Sequence, residues 1–188
     1  MGYWDEMHGY ADLIPGSSRW SENATAIRNA IASAGHMEDY AAYNGASDTE
    51  EHIYRDMSEI NPGAAHPNDC LADFMKTSRS ALDLWYGTTA GDRTSSGMAA
   101  YAFWRGYRFT AGGRWDSMPT WNAFVREIRT GRPVLFDVDR SGIGETDHTV
   151  TATGYRTTNG YEEYMYTDPS GFGSWCHRRS ESVVNRPG

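Results

Sequence analysis

The chain has 188 residues and a formal net charge of -8, with a sequence pI of about 5.2. This acidity argues against nucleic acid or an anionic membrane surface as a partner. No stretch is apolar over the length that a transmembrane helix needs, so we predict no membrane span. The length suits one domain, residues 1–188, with a substantial hydrophobic core. Two cysteines do not form a disulfide scaffold, although they allow one bridge, and they leave the cellular compartment undetermined.

Helical signals open the chain. We interpret residues 1–9 as the end of a helix. Apolar residues then recur at helical spacing in residues 21–34, where Ser21 is predicted to cap a helix and Gly35 to end it.

The middle of the chain is predicted to contain short helices between loops. Residues 37–67 are interpreted as a surface excursion with one short helix near residues 52–60. A further helix begins near Pro67-Asn68-Asp69 and covers residues 71–75. The glycine-rich, polar residues 87–97 are predicted as a loop, and a helix follows over residues 98–105.

The last predicted helix opens at residues 117–119, where serine precedes Met-Pro, and it ends at Gly131. Its apolar side chains recur at helical spacing and are predicted to enter the core: Trp121, Phe124, Val125 and Ile128.

A β-hairpin is predicted in the last third of the chain. Two runs rich in β-branched and aromatic residues, 147–155 and 161–169, flank a break that contains Asn159-Gly160. With a strand predicted at 133–138 they form a three-stranded antiparallel sheet behind the helical first half. The predicted fold class is therefore α+β.

Antiparallel pairing of this hairpin brings the start of its first strand beside the end of its second, where His148 and Asp168 lie. A histidine acts as a general base when a carboxylate fixes its tautomer and stabilises the imidazolium. The two residues therefore match half of a catalytic triad. Ordinary turn chemistry is the alternative, because a histidine at a strand start and an aspartate before Pro169 are both common.

The register of the hairpin decides whether these two side chains share a face. A strict two-residue turn at Asn159-Gly160 places Asp168 opposite Thr151, and His148 and Asp168 then point to opposite faces, because side chains alternate along a strand. The triad hypothesis therefore requires an odd-length connection or a β-bulge. A three-residue loop 158–160, for example, sets Asp168 opposite Val150.

Several runs together match the pattern of one protein family. In the second half they are residues 131–139, Gly142 and Gly144, Thr146-Asp147-His148-Thr149-Val150 and Gly154-Tyr155. In the first half they are Gly2-Tyr3-Trp4-Asp5, Gly9-Tyr10, Leu13-Ile14-Pro15-Gly16, Leu71-Ala72-Asp73-Phe74-Met75 and Thr77-Ser78. From its first residue to about Trp175, the chain resembles bacterial papain-like cysteine peptidase domains of the bacteriocin-processing-like, or double-glycine peptidase-like, group.

The resemblance implies a papain-like fold and peptide-bond hydrolysis by Cys-His-Asp chemistry, with His148 as the general base and Asp168 as its orienting partner. It implies a peptide or protein substrate, and we predict no cofactor. In that family the nucleophile is a cysteine in a Cys-x-Pro-Thr-like motif, roughly two or three helical turns before Gly-Tyr-Trp-Asp. The present chain starts at the Gly-Tyr-Trp-Asp run, which is Gly2-Tyr3-Trp4-Asp5. We therefore expect a sequence truncated before its nucleophile and inactive as it stands.

A non-catalytic peptide- or glycan-binding relative with the same fold is the alternative, in which His148 and Asp168 remain without a nucleophile. Seven Trp, twelve Tyr and six Phe suit a binding groove of either kind. Substrate specificity, oligomeric state and compartment stay open, and secretion or a cell-envelope location is expected only if an upstream signal segment exists.

Cys70 is a second candidate nucleophile, because it lies near a predicted helix start, where the helix dipole favours a thiolate. Asp69 and Asp73 flank it and favour the neutral thiol. We therefore predict a structural Cys70, with its thiol packed on the apolar side of the helix.

Two residue patterns are compared with metal sites by their ligand types and spacing. His66 and Cys70 are four residues apart, a spacing that suits zinc if Cys176 or His177 joins them, but two ligands are a weak signal and we predict no zinc site. The turn after the first strand is similar to a calcium loop, although Ile143 supplies no ligand and a solvated turn is favoured. Its oxygen-bearing residues are Asp137, Asp139, Ser141 and Asp147.

Overall fold

A computed structural model of the chain describes residues 1–17, 19–40, 66–84, 87–109, 120–138, 148–167 and 173–177. This part of the chain is α+β, with α-helices and a four-stranded antiparallel sheet. The chain forms two compact units, Met1–Trp115 and Asp116–Gly188. No helix in the described ranges has the length and apolar character to cross a membrane.

Five α-helices are described in the first unit and one in the second. They are α1 (Gly2–His8), α2 (Trp20–Ile31), α3 (Ala34–Asp39), α4 (Leu71–Met75), α5 (Gly91–Trp104) and α6 (Trp121–Arg129). A short 3-10 helix, Ser80–Leu82, lies between α4 and α5. The helix predicted near residues 52–60 lies outside the described residues.

The helix predicted over residues 21–34 is confirmed as α2, but its ends were predicted wrongly, because Ser21 is not its cap and Gly35 does not end it. Helix α2 begins at Trp20, and the chain enters it through Ser17, whose Oγ accepts a hydrogen bond from the Arg19 backbone N–H. After α2 the side chain of Ser33 accepts from the backbone N–H of His36 at 3.1 Å and so caps α3. A serine cap thus starts a second helix, with Gly35 inside it.

The glycine-rich passage was also assigned wrongly as a loop, since α5 already begins at Gly91 and contains Gly97. A Cβ atom on Gly97 would lie 2.6 Å from Cα of Met75 in α4. Gly97 therefore permits the close approach of α4 and α5, and packing of the two helices outweighs the low helix propensity of glycine.

The core of the first unit contains Leu13, Tyr101 and Ala102. The loop that leads to Leu13 is tied to the neighbouring helices by hydrogen bonds. The carboxylate of Asp5 accepts from the Ile14 backbone N–H at 2.8 Å, and the Tyr101 hydroxyl donates to the Leu13 carbonyl at 2.9 Å. Helix α1, this loop and α5 therefore form one packed arrangement.

Helix α6 lies close to its predicted position. The Thr120 side chain accepts from the Ala123 backbone N–H, and Gly131 follows the helix with a φ of 73°. Phe124 is buried, and its ring centroid is 5.3 Å from that of Phe136 and 6.5 Å from that of Tyr164 in the sheet. The predicted apolar stripe therefore packs on the sheet through Phe124.

The sheet has the order β1-β2-β3-β4, and every neighbouring pair is antiparallel. The strands are β1 (Val134–Val138), β2 (His148–Thr158), β3 (Tyr161–Thr167) and β4 (Gly173–His177). The first three were predicted. The three-stranded prediction missed β4, which pairs with β3 and makes β3 an inner strand.

Candidate active-site hairpin

The hairpin β2–β3 turns at Asn159-Gly160, as the sequence predicted. Both residues have positive φ, 52° and 82°, which is the signature of the two-residue type I′ turn that suits the twist of a hairpin. Thr158 pairs with Tyr161 directly across the turn. The three-residue loop 158–160, which was given as one connection that sets Asp168 opposite Val150, is therefore wrong.

The required shift of register occurs further along the hairpin. Gly154 pairs with Met165, whereas Ala152 pairs with Tyr166, so β2 has one extra residue, Thr153, between these pairs. Such a bulge changes which residues of the two strands share a face. Beyond the bulge Thr151 pairs with Thr167, whereas a hairpin without the bulge would pair Thr151 with residue 168.

The backbone register also places the start of β2. His148 pairs with Val138 of β1, and position 148 has the parity of Val150 and Ala152, both of which are buried. For His148 the structure describes the backbone. Asp168 follows Thr167 directly and lies outside the described residues.

The calcium-loop residues fall mostly outside the described part of the chain, because Asp139, Ser141 and Asp147 lie there. Asp137 is described and exposed. Its Oδ1 atom accepts a hydrogen bond from Oγ1 of Thr149, its partner across β1 and β2, at 2.6 Å. The Asp137 carboxylate is therefore held by a hydrogen bond between neighbouring strands of the sheet.

Cys70 lies at the N-cap of α4 and is fully buried. Its Sγ is 3.1 Å from Oδ2 of Asp73, to which the thiol donates. Burial raises the pKa of Cys70 to about 11, and the Asp73 carboxylate contributes to the rise. The prediction of a buried Cys70 is confirmed, but the thiol contacts a carboxylate and not only apolar side chains. At neutral pH it is a protonated thiol and a poor nucleophile.

We expect Cys70 to react slowly with thiol reagents in the native protein. At pH 8 a pKa of about 11 leaves roughly one thiol in a thousand ionised, whereas an unfolded cysteine is ionised to about a quarter. The labelling rate in a Cys176→Ser variant should therefore rise about a hundredfold or more when the protein is unfolded in urea. Equal rates in the native and unfolded protein would contradict the burial of this thiol.

Sequence reasoning did not find the partners of Asp73. Oδ1 of Asp73 is 2.8 Å from Nδ1 of His36, and Oδ2 is 3.2 Å from Nε2 of His66, whose Nδ1 is 2.7 Å from Oδ2 of Asp39. We call His36, Asp39, His66, Cys70 and Asp73 the Asp73 network. The helical spacing of His66, Cys70 and Asp73 was a sequence signal for part of it, but His36 and Asp39 come from another helix, α3.

The hydrogen bonds of the network favour charged groups. Burial alone would raise the pKa of the Asp73 carboxyl, but the hydrogen bonds from His36 and Cys70 outweigh burial and hold this pKa well below its usual range. Burial lowers the pKa of His66, yet the Asp39 and Asp73 carboxylates raise it above the ordinary value on balance. Asp73 is therefore ionised at neutral pH.

Comparison of the chain with protein-family models, curated proteins and solved structures found no match. The class defined by the structure is an α+β protein that carries a bulged antiparallel hairpin with His148 at a strand start.

Proposed function

We propose that residues 1–188 form a papain-like, cysteine peptidase-like domain in which His148 is the general base and Asp168 orients it. The substrate class is a peptide or protein. The resemblance of the sequence runs is one support, and the register of the hairpin is the observation that carries the proposal.

The bulge at Thr153 supplies the one-residue shift that the pairing needs. Because Thr151 and Thr167 are partners, continuation of the same register by one residue sets Asp168 opposite Val150. Val150 and His148 have the same parity on β2, so the carboxylate and the imidazole would then share a face. Without the bulge they would point to opposite faces.

The first unit offers a second support for the resemblance. The runs Gly2-Tyr3-Trp4-Asp5 and Leu13-Ile14-Pro15-Gly16 are joined by the hydrogen bond from the Ile14 backbone N–H to Asp5. Two runs that the family pattern places near each other in sequence are thus linked by a contact between their own residues. The first run is helical, within Gly2–His8.

No thiol in the described residues is suited to attack a peptide bond. Cys70 is buried and protonated. Cys176 lies in β4, opposite Tyr164, and follows Asp168 in the chain. We therefore propose that the chain holds the general base His148 and its orienting partner Asp168 but does not hydrolyse peptides by covalent catalysis.

An activated ester tests this assignment, because its hydrolysis needs only general-base help to water. We expect no hydrolysis of a peptide substrate, and slow hydrolysis of p-nitrophenyl acetate that falls about tenfold or more in His148→Ala and in Asp168→Asn. His8→Ala removes an exposed histidine of α1 and serves as the control. An ester rate unchanged in His148→Ala, or peptide hydrolysis that Cys70→Ser abolishes, would contradict the proposal.

A further inference from the structure

Three potential metal ligands converge where the chain enters α4. Nε2 of His66 is 3.2 Å from Oδ2 of Asp73 and 3.9 Å from Oδ1 of Asp69, and the ligand atoms of the three residues all lie within 4.8 Å of one another. Ligand atoms bound at about 2.0–2.2 Å to one tetrahedral ion are roughly 3.3–3.6 Å apart. The separation of His66 and Asp73 is close to that, and the Asp69 side chain, 52% exposed, has room to move toward them.

We propose that His66, Asp69 and Asp73 bind one divalent transition-metal ion, for which Zn²⁺ is the probe. The ion stabilises the entrance to α4 and links it to α3 through the hydrogen bond between His66 and Asp39. This site is separate from the hairpin of the second unit and does not depend on the proposed peptidase chemistry.

Two of the ligands already have orienting partners. The Asp39 carboxylate accepts from Nδ1–H of His66 at 2.7 Å, which leaves Nε2 directed at Asp73. A histidine that binds a metal commonly donates its other ring N–H to a carboxylate in this way. His36 Nδ1 lies 2.8 Å from Oδ1 of Asp73. Oδ2 lies on the His66 side and also accepts from the Cys70 thiol and from the backbone N–H groups of Asp69 and Cys70. A Cβ on Gly35 would lie 3.3 Å from the His66 ring, so this glycine leaves room for it.

The charges of the site suit a cation. With Nδ1–H donated to Asp39, Nε2 of His66 faces Oδ2 of Asp73 at 3.2 Å, and either a proton on Nε2 or a bound cation satisfies the two atoms. A proton satisfies only this pair. A divalent ion also engages Asp69, whose oxygen at 3.9 Å from Nε2 is too far for a hydrogen bond.

The ligand types select the class of ion. An imidazole with two carboxylates suits zinc and its neighbours, whereas calcium and magnesium prefer oxygen ligands alone. Three protein ligands leave a coordination position for water on the exposed side of Asp69. A second set, His36, Cys70 and Asp73, is also close together but wholly buried. Its thiol donates to Asp73 and is not expected to bind the ion.

The test is a Zn²⁺ titration of the full chain after treatment with EDTA, by calorimetry at neutral pH. We expect one tight site per chain and a higher Tm with Zn²⁺. His66→Ala and Asp69→Asn should remove this site, and Asp39→Ala should weaken it about 10–100-fold, the range for loss of an orienting partner. Glu38→Gln removes an exposed carboxylate next to Asp39 and should leave the affinity unchanged.

Absence of a tight site in the full chain would overturn the proposal, as would an affinity that survives both His66→Ala and Asp69→Asn. Asp69 is exposed, so Asp69→Asn keeps the test valid if His66→Ala does not fold. Cys70→Ser is expected to retain the site. Loss of the site in Cys70→Ser with Asp69→Asn unaffected would assign the ion to the buried set and refute the ligands proposed here.

Discussion

Replacement of Asp73 by alanine is expected to destabilise the first unit by about 3–5 kcal/mol, because several donors that contact its buried carboxylate lose their acceptor. The carboxylate is 1% exposed and contacts His36, His66 and the Cys70 thiol. It also accepts from the backbone N–H groups of Asp69 and Cys70 at the start of α4. Its removal leaves several donors without an acceptor, among them the buried ring N–H of His36.

The loss is measured by urea unfolding in EDTA, followed by the far-UV helical signal. Asp73→Asn keeps an acceptor for the backbone N–H groups and should cost less than Asp73→Ala. Glu38→Ala, at an exposed position of α3, should change the free energy of unfolding by less than about 0.5 kcal/mol. A loss below about 1 kcal/mol in Asp73→Ala would show that the Asp73 network does not support the unit.

Gly97→Ala is expected to destabilise the same unit by about 1–3 kcal/mol or more, because the new methyl group would meet the backbone of Met75 at 2.6 Å. Backbone atoms cannot move aside as a flexible side chain can. Helix propensity acts in the opposite direction and favours alanine by about 1 kcal/mol. A net loss would therefore come from the clash between α5 and α4.

Ser96→Ala is the matched control for Gly97→Ala, since Ser96 is the exposed neighbour in α5. It should change the free energy of unfolding by less than about 0.5 kcal/mol. A Gly97→Ala variant as stable as the parent would mean that α4 and α5 do not approach as closely as described.

Local signals predicted the elements that local chemistry determines. Asn159-Gly160 predicted the type I′ turn, because few other residue pairs adopt two positive φ angles. The apolar periodicity of residues 121–128 predicted α6 and its buried Phe124. Gly35 and Gly97 were misinterpreted for one reason: glycine ends a helix when it adopts positive φ, but inside a helix it serves close packing, and only the partner residues distinguish the two.

The candidate sites were predictable to different degrees. His148 was placed correctly at a strand start, but the bulge at Thr153 was not located, although Gly154 beside it was a signal for irregular pairing. The Asp73 network was missed because its contacts join residues far apart in sequence, such as His36 and Asp73. No local periodicity indicates such a contact. Strand β4 is short, and only its pairing with β3 defines it.

The pairing of His148 with Asp168 is tested most directly by engineered disulfides that report the hairpin register. Facing residues of antiparallel strands have Cβ atoms about 4.5–5.5 Å apart, close to the separation that a disulfide requires. In a Cys176→Ser background, the double variant Val150→Cys/Asp168→Cys should form its disulfide on mild oxidation, as shown by mass spectrometry of non-reduced peptides. The matched variant Thr151→Cys/Asp168→Cys should stay reduced. Disulfide formation in the Thr151→Cys variant and not in the Val150→Cys variant would place Asp168 on the face opposite His148 and contradict the catalytic pair.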